Sequence, residues 1–136
     1  MARGAVYFHP QFKFHDNEIG EKRSVVLNEP RRGDPYLVAK TTTNLRNLTY
    51  SIGCKPARRV FYVPENTEPS LPLTTLVQLF EFYEFSEAEL LGANLRDKIL
   101  EYKGDLSPLT LAQLINCIKK LKMDIPQHYF VMITRS

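Results

Sequence analysis

A change of hydrophobic period partway along the chain constrains the fold more than any other feature of this sequence. Up to about residue 80, apolar side chains come in short β-rich runs broken by turn residues, whereas from Pro108 onward they recur at helical spacing. The β-rich runs are Gly4 to Phe8, Ser24 to Asn28, Tyr36 to Ala39, Val60 to Val63 and Thr75 to Phe80, and the third ends through Lys40-Thr41-Thr42-Thr43-Asn44. Glu29-Pro30-Arg31-Arg32-Gly33-Asp34-Pro35 supplies turn geometry between the second and third, and Pro64 to Pro72 separates the fourth from the fifth. Five short runs with irregular loops predict a small, highly curved sheet or a partly closed barrel. There is no GxGxxG or P-loop, which disfavours a nucleotide-binding α/β fold.

The helical part opens at Ser86-Glu87-Ala88-Glu89, a capping box in which the Ser hydroxyl serves the Glu89 amide and the Glu89 carboxylate reaches back. Gly92 interrupts that helix, and Leu95, Ile99 and Tyr102 predict that helical spacing resumes before Gly104. The clearest helix is expected from Pro108 to about Lys122. Ser107 is its N-cap, Pro108 suits the first position, and Leu111, Leu114, Ile115, Ile118 and Leu121 share one face. Lys119, Lys120 and Lys122 complement the dipole of its last turn. Pro126 stops it, and His128 to Ile133 is expected to add a closing or edge strand. The class is therefore mostly β with appended helices, an α+β chain. Its 136 residues suit one domain, with residues 1–80 as the barrel-like core and 81–136 as a helical extension and tail.

An apolar share of 43% with 24% charged residues excludes a disordered chain, and no apolar run approaches the ~20 residues needed to span a bilayer. The N-terminus MARGAVYFHP lacks the apolar core of a signal peptide, so a cytoplasmic protein with no membrane partner is expected. In that setting Cys54 and Cys117, which form no CxxC or Cys/His cluster, are expected to be free thiols, and neither a metal nor a cofactor is implied. The net charge of +3 hides an asymmetry: residues 1–60 carry eleven Lys/Arg and five Asp/Glu, residues 61–136 seven and ten. A basic first half points to a polyanionic partner.

Residues 4–44 form a connected pattern of GAVYF, a loop ending EIGEK, then RSVVLNEP and YLVAKTTTN. It resembles the MazF/PemK family of toxin endoribonucleases, in which a Gly-hydrophobic strand leads to a basic residue, a VVL-type strand and a strand ending in a Thr pair. A weaker echo continues at Thr74 to Leu79 and at Lys103-Gly104-Asp105-Leu106-Ser107, while residues 80–102 are longer than the family's usual connection. The resemblance implies a small SH3-like barrel, usually a homodimer, that cuts single-stranded RNA without a metal and is neutralised by an antitoxin protein.

It also implies a site. The family's catalytic basic residue falls at Lys22, with Arg23 where the family usually has Pro, and its catalytic Thr falls at Thr41, supported by Thr42 or Thr43. Adjacent strand residues point to opposite faces, so one of Lys22 and Arg23 faces the site. His15 and Glu18, in the first loop, are possible helpers in moving protons, and His9 lies nearby in sequence. Arg31, Arg32, Lys40, Arg46, Lys55, Arg58 and Arg59 are candidate RNA contacts, and Tyr36, Tyr50 and Phe61 are candidate stacking partners for unpaired bases. Lys in place of Arg at position 22 also admits a catalytically inactive SH3-like module that binds nucleic acid or protein. A further reading is a phage or defence accessory protein on the same fold, with the lengthened segment 80–102 as its partner surface.

Overall fold

A computed structural model describes residues 3–13, 19–45, 52–91 and 100–135, with side chains for residues 3–8, 23–45, 52–89 and 100–135. Seven strands form one antiparallel sheet: β1 (Ala5–Lys13), β2 (Ile19–Val26), β3 (Tyr36–Thr42), β4 (Gly53–Lys55), β5 (Val60–Val63), β6 (Thr75–Phe85) and β7 (Glu101–Asp105). The helices are α1 (Glu87–Leu91), α2 (Pro108–Lys120) and α3 (Gln127–Thr134). The strand order is β4-β5-β6-β3-β2-β1-β7, open among the described residues, with β4 and β7 at its edges. Mostly β with appended helices is thus the observed class.

Strand alternation divides the apolar side chains between the two faces. Val6, Val25, Leu37, Ala39 and Val77 join Leu114, Ile115 and Ile118 of α2 and Met132 and Ile133 of α3 in the main core. Their neighbours Ala5, Tyr7, Val26, Tyr36 and Val38 form a smaller cluster on the opposite face with Leu100. The turn expected at residues 29–35 is present. Its base is fixed by Asn28, fully buried, whose side chain donates to the Pro35 carbonyl and accepts from the Leu37 amide. Here the polar atoms of a buried amide replace ladder bonds that the turn interrupts.

Gly4 locks β1 to its surroundings: its amide donates to Val26, its carbonyl accepts from Leu106, and its φ is +94°. A Cβ there would sit 3.1 Å from Leu111 of α2, so both space and backbone favour glycine. Gly104, at φ +120°, sits where the β1–β7 register slips between Val6 and Tyr7.

The capping box closes as expected, Glu89 Oε1 accepting from the Ser86 amide and Ser86 Oγ from the Glu89 amide. Ser107 caps α2 through the Thr110 amide. A second layer lies behind that cap: Glu68, 3% exposed, accepts from the Ser107 amide, the Ser107 hydroxyl and the Thr110 hydroxyl. A carboxylate at the positive end of a helix dipole is stabilised there, and its bonds satisfy donors that the first turn leaves unpaired. At the other end of the chain, Tyr129 of α3 donates to Glu84 of β6 at 2.7 Å, and this bond, with partial burial, pushes the phenol up to about 12. Arg135 forms an ion pair with Asp34 in the β2–β3 turn.

Several expectations are corrected. Residues 128–133 are helical in α3, which brings Met132 and Ile133 into the core with α2. Tyr102 belongs to strand β7, paired with Tyr7, so helical spacing does not extend to it. α2 stops at Lys120, followed by a 3-10 turn at Lys122–Asp124 before Pro126. β6 runs to Phe85 rather than ending at Phe80, and residues 81–136 contribute β7 to the sheet. Cys54 and Cys117 are joined by a disulfide, their Cα atoms 5.3 Å apart, in place of two free thiols. β4 packs against α2, which brings the two cysteines together across 63 residues of sequence. Gly92, Leu95 and Ile99 lie outside the described residues. No described helix is long and apolar enough to cross a membrane.

Candidate functional site

Three adjacent strands, β3, β2 and β1, carry one row of side chains past the end of the helical layer. Phe8 of β1 is paired with Arg23 of β2. The β2–β3 register, Ser24 with Lys40 and Val25 with Ala39, places Thr41 opposite Arg23. Phe8 and Arg23 continue the faces of Val6 and Val25, which are core, so this row shares the face that α2 and α3 cover farther along. Here it lines a cleft of about 300 Å³ together with Thr42 at the end of β3, Thr43 and Asn44 after it, Pro72 and Leu73 before β6, and Thr75 at the start of β6.

Arg23 is fixed by two contacts. Its Nη1 donates to the Ser70 carbonyl at 3.1 Å, and its Cζ lies 5.3 Å from the centre of the Phe8 ring. A guanidinium has five N–H donors in a planar fork, so one bond to Ser70 leaves the group with further donors to offer an anion. The ring and the carbonyl restrict its rotamers beforehand, which lowers the ordering cost of binding.

The threonines divide into two roles. Thr41 is 4% exposed, and its hydroxyl donates to the Arg23 carbonyl at 2.9 Å, tying β3 to β2 beside the guanidinium. Thr42 is half-buried, and its oxygen accepts from the Asn44 amide at 3.1 Å, so its hydroxyl hydrogen stays available to an acceptor in the cleft. Thr43 is exposed on the rim. Thr75 is buried and donates to the Leu73 carbonyl, holding the loop that forms the far wall.

Of the residues singled out from sequence, the structure therefore brings Arg23, Thr41, Thr42 and Thr43 together. Lys22 is one position back on β2 with its backbone paired to His9; its side chain, like those of His15 and Glu18, lies outside the described residues. Lys40 is buried on β3, at the position alternate to Thr41. Arg31 and Arg32 are exposed in the β2–β3 turn, near the Tyr36 end of β3, whereas the cleft is at the Thr41 and Thr42 end. Lys55, Arg58 and Arg59 surround the β4–β5 turn at the Val60 end of β5, while it is Val63, at the other end, that pairs with Thr75 of the cleft. Arg46 and Tyr50 lie outside the described residues. Tyr36 and Phe61 are buried in the two clusters. Among the described residues no group of three or more His, Cys, Asp or Glu could hold a metal ion.

Phe8, Asn44, Pro72, Leu73 and Thr75 were not anticipated as lining residues. The pairing of Phe8 with Arg23 across a hairpin was the available signal, since directly opposed residues share a face. The lining combines one cation, several hydroxyls and an aromatic ring, a set suited to a phosphate with an attached apolar or aromatic group. No family model matches the chain, and no curated protein matches it.

Proposed function

We propose that the chain is a metal-independent endoribonuclease of the MazF/PemK toxin type, with an SH3-like sheet, that cleaves single-stranded RNA in the cleft of Arg23, Thr41 and Thr42. The observation that carries this reading is the convergence of Arg23 and the strand-end threonines, from separate strands, on one cleft. The resemblance across residues 4–44 supports it independently.

In this reaction the 2′-oxygen of the substrate attacks the adjacent phosphorus as its proton leaves. The bond to the 5′-oxygen breaks, and that oxygen takes up a proton. The products carry a 2′,3′-cyclic phosphate and a 5′-hydroxyl, and no co-reactant is consumed. Arg23 would stabilise the dianionic phosphorane, and the Thr42 hydroxyl would donate to a non-bridging oxygen, while Thr41 would hold the strand that carries Arg23. The same reading implies an antitoxin partner, a homodimer and no cofactor.

A second reading, a non-catalytic module that binds RNA on the same surface, is favoured by one feature. Among the described residues lining the cleft none is an imidazole, carboxylate or primary amine able to exchange a proton near neutral pH, and the Thr41 hydroxyl already serves a carbonyl.

Incubation of purified protein with mixed-sequence RNA in chelator separates the two. The enzyme reading expects fragments ending in 2′,3′-cyclic phosphate. Arg23→Ala should lower the rate by roughly 10²–10³ with an unchanged circular dichroism spectrum, and Arg23→Lys should restore part of it. RNA binding without fragments favours the module, and absence of both binding and cleavage by folded protein overturns both readings.

A further inference from the structure

The electrostatic surface beside the cleft does not end at Arg23. Phe8 lies on the central strand of three, with Arg23 of β2 opposite it on one side and Glu101 of β7 on the other. Lys103, the extra residue where the β1–β7 register slips between Gly104 and Tyr102, lies on the side of Glu101, its Nζ 2.9 Å from the Glu101 carboxylate and 5.5 Å from the centre of the Phe8 ring. One aromatic ring thus carries a guanidinium and an ammonium, each within 5.5 Å of its centre, so the cations are separated by no more than twice that distance. The ring attracts both cations electrostatically, and they come from strands on opposite sides of β1.

Lys103 also pairs with Glu101 at 2.9 Å, with both side chains more than a third exposed. An exposed pair of this kind is worth little and exchanges readily for another anion. A phosphate arriving at Lys103 therefore competes with the solvated carboxylate of Glu101.

We propose that Lys103 forms a second phosphate subsite, on the far side of Phe8 from the cleft, so that the surface takes successive phosphates of one strand, the first at Arg23 and the next at Lys103. Glu101 occupies the subsite electrostatically until RNA displaces it. The inference rests on the RNA-binding reading above and adds to it the direction of the strand, from β3 across β2 and β1 to β7. A single phosphate would engage Arg23 alone; an oligonucleotide would engage both.

The test uses a fluorescein-labelled oligouridylate with 2′-fluoro sugars, which binds but cannot be cut, and a competing dinucleoside monophosphate that has one phosphate. Lys103→Ala should weaken the oligonucleotide several-fold and reduce the slope of log affinity against log salt by about 0.7, the value for one lost contact to a single strand. It should leave competition by the dinucleoside monophosphate unchanged, while Arg23→Ala weakens both ligands. Glu101→Gln should tighten oligonucleotide binding, whereas Glu87→Gln, the same charge change near the β2–β3 turn, should not. If Arg23→Ala weakens binding but Lys103→Ala leaves affinity and salt slope at wild-type values, the second subsite is refuted and the cleft stands. If the folded wild-type protein does not bind the oligonucleotide, the RNA reading and the subsite fall together.

Discussion

Reduction of the Cys54–Cys117 bridge is the perturbation whose size follows most directly from the structure. The bridge joins edge strand β4 to α2 and closes 63 residues of chain, a segment that contains β5, β6 and β7. For a loop of that length the chain-entropy relation removes about 14 cal/mol/K from the unfolded ensemble, or about 4 kcal/mol at 25 °C. The native contacts need not change on reduction: Cys117 is 1% exposed in the main core, and Cys54 packs against that core from β4. A thiol is a small apolar group that remains compatible with such surroundings. The loss is therefore expected chiefly through the unfolded chain. With a urea dependence of about 2 kcal/mol/M, the midpoint should fall by roughly 2 M in tris(2-carboxyethyl)phosphine. Cys54→Ala should give a similar fall with or without reductant, because the second thiol then has no partner. Thiol titration under denaturing conditions fixes the starting state, with none expected before reduction and two after. Equal midpoints for protein verified as oxidised and as reduced would refute the reasoning, as would two free thiols in protein purified under air.

Glu68→Ala should cost about 3 kcal/mol in urea unfolding, because it leaves the Ser107 amide and the Ser107 and Thr110 hydroxyls without their buried acceptor, and Glu68→Gln, which keeps an acceptor oxygen, should cost less. Tyrosinate absorbance should place the ionisation of Tyr129 at about 12, and Glu84→Gln should bring it back toward 10. Since the bond favours the protonated phenol, its contribution to stability is complete below pH 10 and lost as pH rises from there through about 12; a wild-type Tyr129 that ionises at the ordinary value would remove the Glu84 contact from the account.

The parts of the fold legible in the sequence are those whose partners are near in the chain. Tyr36-Leu37-Val38-Ala39 alternates between two apolar faces, and the Pro/Gly/Asp turn before it sits between two strands that pair with each other. Ser107 and Ser86 are capping signals that act within one helical turn. β7 had no such signal. Glu-Tyr-Lys-Gly-Asp is mostly exposed, and it is a strand because β1 offers its edge there, with Gly104 absorbing the slip in register. In α3 the residues Tyr129-Phe130-Val131-Met132-Ile133 have β propensity, and burial of Met132 and Ile133 against the core overrides it. The disulfide was illegible for the related reason that pairing depends on where β4 and α2 meet. An oxidising compartment would preserve that bridge, which sets it against the cytoplasmic setting expected from the N-terminus.

The candidate site divides in the same way, and the division explains why one residue of the basic pair at positions 22 and 23 could be placed only with the strands in hand. Alternation says that Lys22 and Arg23 face opposite sides but not which side is which. That is decided by Val25, two residues on, whose burial beneath the helices fixes the parity of β2 and so turns Arg23 toward the face of the cleft. Thr41 then follows from the β2–β3 register, since its hydroxyl reaches the Arg23 carbonyl from the opposing position. The Ser70 carbonyl has no side-chain signature, because a backbone acceptor can be supplied by any residue, and Lys103 depends on a strand that the sequence did not announce. Arg23 is the cation lining the cleft among the described side chains, and the side chain of Lys22 lies outside them. A guanidinium held between a ring and a carbonyl has a fixed direction, and direction decides whether a positive charge beside RNA merely attracts the strand or meets a particular phosphate.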